Sequence, residues 1–368
     1  VKRVIILTNG PGEVWGWARP LTVELKKRSF ETVLWLLKCP FASGREGELT
    51  KFFGLDEVYG PYSTLATLSK FRHVKGDMVV QLGGDLIFGR YLSFLLRIPL
   101  ICYSYGPKKG MGKCSAVLSG FDWMADKITR KTGCDVEIVG DLAKDSLDME
   151  TTEGPWNSCE GTRIVLLPGS RPQIRKKGRP FMREFVEHLS KKIPNLNVRT
   201  PFLPDLDDVE RRQWEEAGLY PVTCGTGAAL KGAHMAISQP GTNNFEIMHS
   251  GTPAVIALPF DFLDMVPIQG LRGMIMNIPG FGRWIKGKWL RRIEKSAGFM
   301  TWPNRMAGKE ILNEIRGDFS PYDLSEFVAS LLLNKEKLLA QSRELLAMSS
   351  RSPERASCNI CDVVERLV

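Results

Sequence analysis

The apolar positions of this chain fall in short continuous runs rather than in alternation. Val4-Ile5-Ile6-Leu7 opens the series, and Val33 to Leu37, Asp77 to Leu82, Pro99 to Tyr103 and Val136 to Gly140 continue it. Short β-branched runs bounded by Gly, Pro and polar residues read as strands buried on both faces. Between the first two, Thr8-Asn9-Gly10-Pro11-Gly12 breaks the strand and a helical pattern runs through Leu21 to Lys27. The pattern restarts with strands at Ile164 to Leu167 and Leu196 to Thr200, a charged helix over Asp207 to Ala217, and a strand at Pro221 to Thr223. A short Ala-rich helix near Ala228, a strand at Met235 to Ser238, a helix from Asn243 and a strand at Pro253 to Leu258 follow. The chain closes on helices over Leu324 to Leu333, Lys335 to Met348 and Glu354 to Val368.

Strands alternating with helices imply parallel sheets covered on both faces, the α/β class. A length of 368 residues suits two domains. The polar, irregular stretch from Thr151 to Gly161, with Gly154-Pro155 inside it, reads as the linker. The expected organisation is therefore two Rossmann-like doubly wound domains facing a cleft, over 1–155 and 156–344. A terminal helix over 345–368 crossing back to the first domain is consistent with that division.

Ligands of open α/β sheets bind at the carboxyl ends of the strands. Leu167-Pro168-Gly169-Ser170-Arg171 puts backbone N–H groups, a hydroxyl and a guanidinium at such an end. Pro240-Gly241-Thr242-Asn243-Asn244-Phe245-Glu246 places Gly-Thr-Asn-Asn at the mouth of a helix, whose N-terminus favours phosphate. Glu246 falls about one turn further in, where a carboxylate accepts ribose hydroxyls. Together these groups fit a nucleotide diphosphate better than a generic anion; the plainer reading is an ordinary βα loop with a surface Arg.

The net charge of +9 and pI near 9.1 favour anionic partners. No apolar run reaches the ~18 residues that span a bilayer, and no signal-peptide pattern opens the sequence, so a cytoplasmic location is expected. Of eight scattered cysteines, Cys358 and Cys361 form one C-x-x-C, with no second pair to complete a zinc site. His73, His188, His234 and His249 show no ligand spacing, so no metal is expected. No nucleic-acid-binding motif accompanies the positive charge.

Leu271 to Ile293 departs from α/β patterning. Phe281, Trp284 and Trp289 sit among Arg283, Lys286, Lys288, Arg291 and Arg292. Trp and Lys/Arg beside apolar groups read as an element lying on an anionic membrane surface; a core helix pair with a basic solvent face is the alternative.

Taken in order, these motifs resemble lipid-A-disaccharide synthases, glycosyltransferases of the GT-B type. Gly10-Pro11-Gly12-Glu13 followed by Gly16 is similar to the family's Gly-rich loop, with Glu for Asp. Gly83-Gly84-Asp85-Leu86 looks like its Ala-Pro-Asp-Phe, and Val139-Gly140-Asp141-Leu142 like its Val-Gly-His-Pro-Leu. Leu167 to Arg171 matches Leu-Pro-Gly-Ser-Arg directly, and Pro240 to Glu246 looks like Ser-Gly-Thr-Ala-x-Leu-Glu. Trp302-Pro303-Asn304-Arg305-Met306-Ala307-Gly308-Lys309-Glu310 resembles Leu-Pro-Asn-Leu-Leu-Ala-Gly-Arg-Glu. The chain departs from the pattern at three places. Asp141 stands for His, and Tyr103 to Gly110 replaces an aromatic loop. Gln173, Arg175, Lys176 and Lys177 occupy the stretch where a Glu is usual. The departures lie mostly where an acceptor would be met.

The resemblance implies inverting, metal-independent sugar transfer from a UDP-sugar to a lipid-linked acceptor, without a cofactor, at the inner face of the plasma membrane. Arg171 is the candidate for the diphosphate, with Ser170 and Thr242 as hydroxyl donors and Gly169, Gly241, Asn243 and Glu246 completing the donor site. Asn304 and Lys309 match a segment that lines the family's cleft, although Lys cannot make Arg's bidentate contact. Asp85 is the first candidate for the base and Glu13 the second. Asp85 also reads as a helix cap, and Glu13 as a first-turn carboxylate favoured by the helix dipole. A nucleotide-sugar epimerase of the same architecture, with a soluble substrate, is the alternative. A non-catalytic relative that keeps the donor site is another, since a fold does not fix activity.

Overall fold

The computed structural model describes residues 1–39, 44–150, 154–157, 159–259 and 298–368. The chain divides into two compact units, Val1–Thr151 with Leu203–Leu206 and Ser349–Val368, and Thr152–Phe202 with Asp207–Met348.

The first unit is built on β1 (Arg3–Thr8), β2 (Glu31–Leu36), β3 (Glu57–Tyr59), β4 (Met78–Leu82), β5 (Leu100–Tyr103), β6 (Ala116–Ser119) and β7 (Glu137–Ile138). They form one sheet in the order β3-β2-β1-β4-β5-β6-β7, every pairing parallel. Its helices are α1 (Pro11–Glu13), α2 (Arg19–Lys27), α3 (Glu46–Leu49), α4 (Thr64–Lys70), α5 (Ile87–Leu96), α6 (Asp122–Thr132) and α7 (Leu142–Asp148). Val4 to Leu7 and Met78 to Val80 have no exposed surface, as strands covered on both faces require. Trp35, Phe71, Leu92 and Cys102 belong to the core cluster on one side of this sheet.

The second unit carries β8 (Thr162–Leu167), β9 (Leu196–Pro201), β10 (Pro221–Val222), β11 (Met235–Ser238), β12 (Ala254–Pro259) and β13 (Asn313–Gly317), in the order β10-β9-β8-β11-β12-β13. Its pairings are also parallel. Its helices are α8 (Pro172–Ser190), α9 (Asp208–Glu216), α10 (Thr226–Leu230), α11 (Asn243–Ser250), α12 (Trp302–Ala307), α13 (Pro321–Leu332) and α14 (Lys335–Ser349).

The last helix, α15 (Ala356–Leu367), belongs to the first unit, where it packs on α2 and α7. Asp145 of α7 holds its first turn, accepting from Ser357 N at 2.7 Å and Ser357 Oγ at 2.6 Å. Asn359 Nδ2 donates to Val139 O at 2.9 Å.

In both sheets the strand order reverses direction once, between β1 and β4 and between β8 and β11. These are the switch points at which doubly wound sheets open a crevice for ligands.

The pattern of apolar runs missed three strands, β3, β6 and β13. Two have only three and four residues, and none of the five residues of β13 is fully buried, so no long apolar run marks them. The expected helix after β1 is also not continuous. Val14–Ala18 forms a π turn between α1 and α2, with Arg19 N donating to Val14 O. Pro20 has no N–H for the regular bond back to Gly16, which leaves room for the wider turn.

Candidate functional site

At the switch point of the first unit, the next-to-last residue of β4 is Gln81, a fully buried side chain in an apolar strand. Its Nε2 donates to Gly83 O at 3.0 Å and Asp85 O at 2.8 Å, and its Oε1 accepts from Gly89 N at 3.0 Å. One amide thus fixes the whole loop from strand to helix. Gly83 and Gly84 both have positive φ, 77° and 65°, which a side chain would strain. Asp85, pinned through its carbonyl, is exposed, and its Oδ1 accepts from Ile87 N at 3.0 Å at the start of α5.

On the neighbouring strand, Gly10 precedes α1 and Gly12 lies within it. Gly16 falls in the π turn, with open space where a Cβ would stand. Glu13 folds back over Gly10, where an added Cβ would collide with its Oε2. Its Cγ also lies 3.4 Å from the place a Cβ on Gly83 would take. Glu13 and the Gly83–Asp85 loop therefore meet.

Lys108, in the loop after β5, completes this cluster, and sequence reasoning did not single it out. Its Nζ donates to Gly84 O at 2.7 Å. Burial depresses its pKa, opposed by the charges of Cys102, Glu13 and Asp85. The signal was present as Pro107-Lys108-Lys109-Gly110, a cationic break after an apolar strand.

A pH effect on stability follows. A lysine whose pKa is lower in the folded protein binds fewer protons there than in the unfolded chain. Wild type should therefore gain stability relative to Lys108→Met as pH rises from 7 through the interval up to the unfolded lysine value of about 10.4. Urea midpoints of both proteins at pH 7 and pH 10 check this; a difference that stays constant contradicts a depressed Lys108.

Asp141, standing where the resembled family has His, is fully buried. It caps α7, its Oδ1 accepting from Ala143 N at 3.0 Å and from Tyr105 Oη at 2.5 Å. Trp17 Nε1 donates to Tyr105 Oη at 3.2 Å. Burial and then the Asp141 charge push the Tyr103 and Tyr105 hydroxyls well above the usual tyrosine range, so both stay protonated. The departures at Asp141 and at Tyr103 to Gly110 are thus one matched network: the carboxylate and the two tyrosines occur together.

In the second unit, Leu167 and Ser238 are register partners at the ends of β8 and β11. The loops that follow emerge side by side. Gly169 has φ 87° and open space at its Cβ position. Arg171 is the residue immediately before α8, in extended conformation. Arg175, one turn on, makes a bidentate pair with Glu210, Nε to Oε1 and Nη2 to Oε2, both at 2.7 Å. Its Nη1 donates to Ser170 O at 2.6 Å, so the pair sets the position of Ser170.

Across the switch point, buried Asn244 fixes the other loop, accepting from Gly241 N at 3.2 Å and donating to Gln239 O at 3.3 Å. Gly241 and Thr242 are exposed, and Asn243 and Glu246 are half-buried in the first turn of α11. Two helix N-termini with their N–H groups and positive dipole ends therefore open beside Ser170, Arg171, Thr242 and Glu246. Such an arrangement suits a phosphate-bearing ligand.

The structure gives Asn304 and Lys309 other partners. Asn304 is fully buried; its Oδ1 accepts from Ile311 N and Leu312 N, both at 2.8 Å. Its Nδ2 donates to Leu312 O at 2.8 Å and Glu314 Oε1 at 2.9 Å. This amide holds the turn between α12 and β13. Lys309 pairs with Glu344 at 2.9 Å on the surface. Phe281, Trp284 and Trp289 lie outside the described residues. Among the described residues, no three His, Cys, Asp or Glu side chains are grouped to hold a metal ion. No described helix is long and apolar enough to cross a membrane.

No protein-family model matches the sequence, and a search of curated protein sequences finds no relative. Solved structures do match. A putative UDP-N-acetylglucosamine 2-epimerase from Listeria monocytogenes is 14% identical, with a TM-score of 0.60 over 99% of this chain and 95% of that one. The S. aureus MnaA–UDP complex is 13% identical, with a TM-score of 0.64 over 100% and 96%. MurG from Acinetobacter baumannii is 14% identical, with a TM-score of 0.56 over 100% of both chains. At these identities the likeness concerns the fold. With two parallel sheets in doubly wound order, each covered by helices, this chain consists of two Rossmann-like domains of the GT-B fold.

Proposed function

We propose that this chain is an inverting, metal-independent glycosyltransferase. It would move a sugar from a UDP-sugar to a lipid-linked acceptor at the cytoplasmic face of the membrane, as lipid-A-disaccharide synthases do. The observation that carries the reading is the pair of helix N-termini at the end of β8 and β11, with Arg171 beside them. There Arg171 neutralises the diphosphate, Ser170 and Thr242 donate hydrogen bonds to it, and Glu246 accepts from the ribose. Fixed cations and dipoles at the leaving group do the work a metal ion does elsewhere. In the first unit, Asp85 takes the proton of the acceptor hydroxyl, held in place by the Gln81 amide. Glu13, against the same glycine loop, is the alternative base. The relatives support a nucleotide-sugar ligand: one structure holds UDP, and the Neisseria meningitidis UDP-GlcNAc 2-epimerase, TM-score 0.61, holds UDP-GlcNAc.

Those same relatives favour a second reading, an epimerase. The Listeria and Neisseria epimerases reach TM-scores of 0.60 and 0.61, against 0.56 for MurG. A non-catalytic nucleotide-sugar-binding protein is the third. Incubation with UDP-GlcNAc in D2O, followed by proton NMR, separates the three. A transferase leaves the donor intact until a lipid extract is added, and then releases UDP as a glycolipid forms. Inversion at C2 breaks the C2–H bond, so an epimerase yields an epimer carrying solvent deuterium with no acceptor present. Binding with neither outcome, across membrane lipid extracts, favours the non-catalytic relative.

A further inference from the structure

Sugar transfer makes no use of the Cys358-x-x-Cys361 pair. The fold places it in the first two turns of α15, with Arg355 as the residue before the helix. Both thiols are free; Cys358 is half-buried and Cys361 fully buried. Three charged side chains converge on the Cys358 sulfur: Glu24 of α2, Arg28 just after it, and Arg355. Arg355 Nη2 donates to Sγ at 3.0 Å and Arg28 Nη2 at 3.1 Å, while Sγ donates to Glu24 Oε1 at 3.3 Å. Arg28 is held in place by Glu24 at 3.3 Å, Asp362 at 2.6 Å and Glu365 at 3.2 Å. Arg355 is exposed and marks the solvent side of the sulfur.

These are the surroundings of a nucleophile. Guanidinium groups and the first turn of a helix meet negative charge on sulfur, and a carboxylate stands ready for the thiol proton. Cys361 has the complementary character. Burial pushes its thiol well above the usual range; Arg28 opposes the rise, and Glu24 and Cys358 add to it. A thiol shielded from solvent meets its neighbour rather than an outside reagent. Residues three apart in a helix have Cα atoms about 5 Å apart. That falls within the roughly 4.4–6.8 Å that a disulfide spans.

We infer that Cys358 and Cys361 form a dithiol–disulfide exchange site for low-molecular-weight disulfides, with Cys358 attacking and Cys361 resolving. Cys358 loses its proton to solvent by way of Glu24, and its thiolate attacks one sulfur of the external disulfide. A mixed disulfide forms and one external thiolate leaves. Cys361 then loses its proton and attacks the Cys358 sulfur, which closes the intrachain disulfide and releases the second external thiolate. One external disulfide is reduced to two thiols as the two cysteines are oxidised, and an external dithiol reverses the exchange. The site stands whether or not the chain transfers sugars.

Equilibration of the folded full chain with reduced and oxidised glutathione at neutral pH tests the inference, followed by acid quench, labelling of the remaining thiols and peptide mass mapping. Wild type should yield a Cys358–Cys361 disulfide that dithiothreitol removes. Cys361→Ala should stop at a glutathione adduct on Cys358, and Cys358→Ser should leave Cys361 unmodified. Cys159 is the internal reference, a half-buried thiol that accepts from one guanidinium, Arg199 Nη2 at 3.2 Å, with no cysteine three residues away. In Cys361→Ala the adduct should form on Cys358 at least about threefold faster than on Cys159. Adding Arg355→Gln, a surface change, should slow Cys358 about threefold and leave Cys159 as it was. A wild type in which Cys358 and Cys361 remain separate thiols or separate adducts overturns the assignment. So does a Cys358 that reacts no faster than Cys159. Thermal melts report whether Cys361→Ala keeps the fold, and where it does not, the wild-type mapping decides alone.

Discussion

Replacing Arg171 by Ala should weaken UDP binding by roughly 1.5–3 kcal/mol, the worth of a hydrogen bond to a charged group. That is about ten- to 150-fold in Kd. Arg171 stands at the amino end of a 19-residue helix, beside Ser170 and across the switch point from the Gly241–Thr242 loop. Its guanidinium adds a full charge where the helix offers a partial one. The loss should appear in calorimetry at constant salt, because screening lowers both proteins' affinity. Arg175→Ala provides the contrast. Arg175 is committed to Glu210 and to Ser170 O, so its removal should act by loosening the loop, and Glu210→Ala should reproduce it. Unchanged UDP affinity in Arg171→Ala would remove the second unit's loops from nucleotide binding.

The sequence carried the two sheets because both are parallel and buried, so each central strand is a continuous apolar run. It carried the loops because Gly, Pro, Ser and Asn break such runs visibly. It did not carry the side chains that hold those loops. Gln81 sits inside an apolar strand and looks like a tolerated polar residue; only the fold shows its amide spanning from Gly83 to Gly89. Asn244 hides within a Gly-Thr-Asn-Asn motif whose other members face outward. Asn304 is the converse case. Its motif suggested a ligand contact, but the amide closes a turn seven and eight residues on. A short motif records which residue type is needed, not whether backbone or ligand receives its hydrogen bonds. Lys108 was readable as a charge but not as a buried one, since its burial depends on the loops after β4 and β5 and the helix after β1 coming together.

Asp85→Asn should leave UDP affinity and thermal stability close to wild type and slow sugar transfer by about 10²–10⁴, the usual worth of a positioned base. The substitution separates two roles that the structure combines in one side chain. As the cap of α5, Asp85 accepts from Ile87 N at 3.0 Å, and an Asn carbonyl oxygen does this equally well. As the base it must take a proton at Oδ2 or Oδ1, which an amide cannot do. The backbone of residue 85 is held by Gln81 Nε2 through the carbonyl, so the loop does not depend on the carboxylate. Lys108 bonds Gly84 O, not Asp85, and stays in place. Turnover near wild type in the Asn variant would therefore assign Asp85 to the helix cap alone. Glu13, against the same glycine loop, would then be the carboxylate to change next, with Glu13→Gln expected to carry the loss.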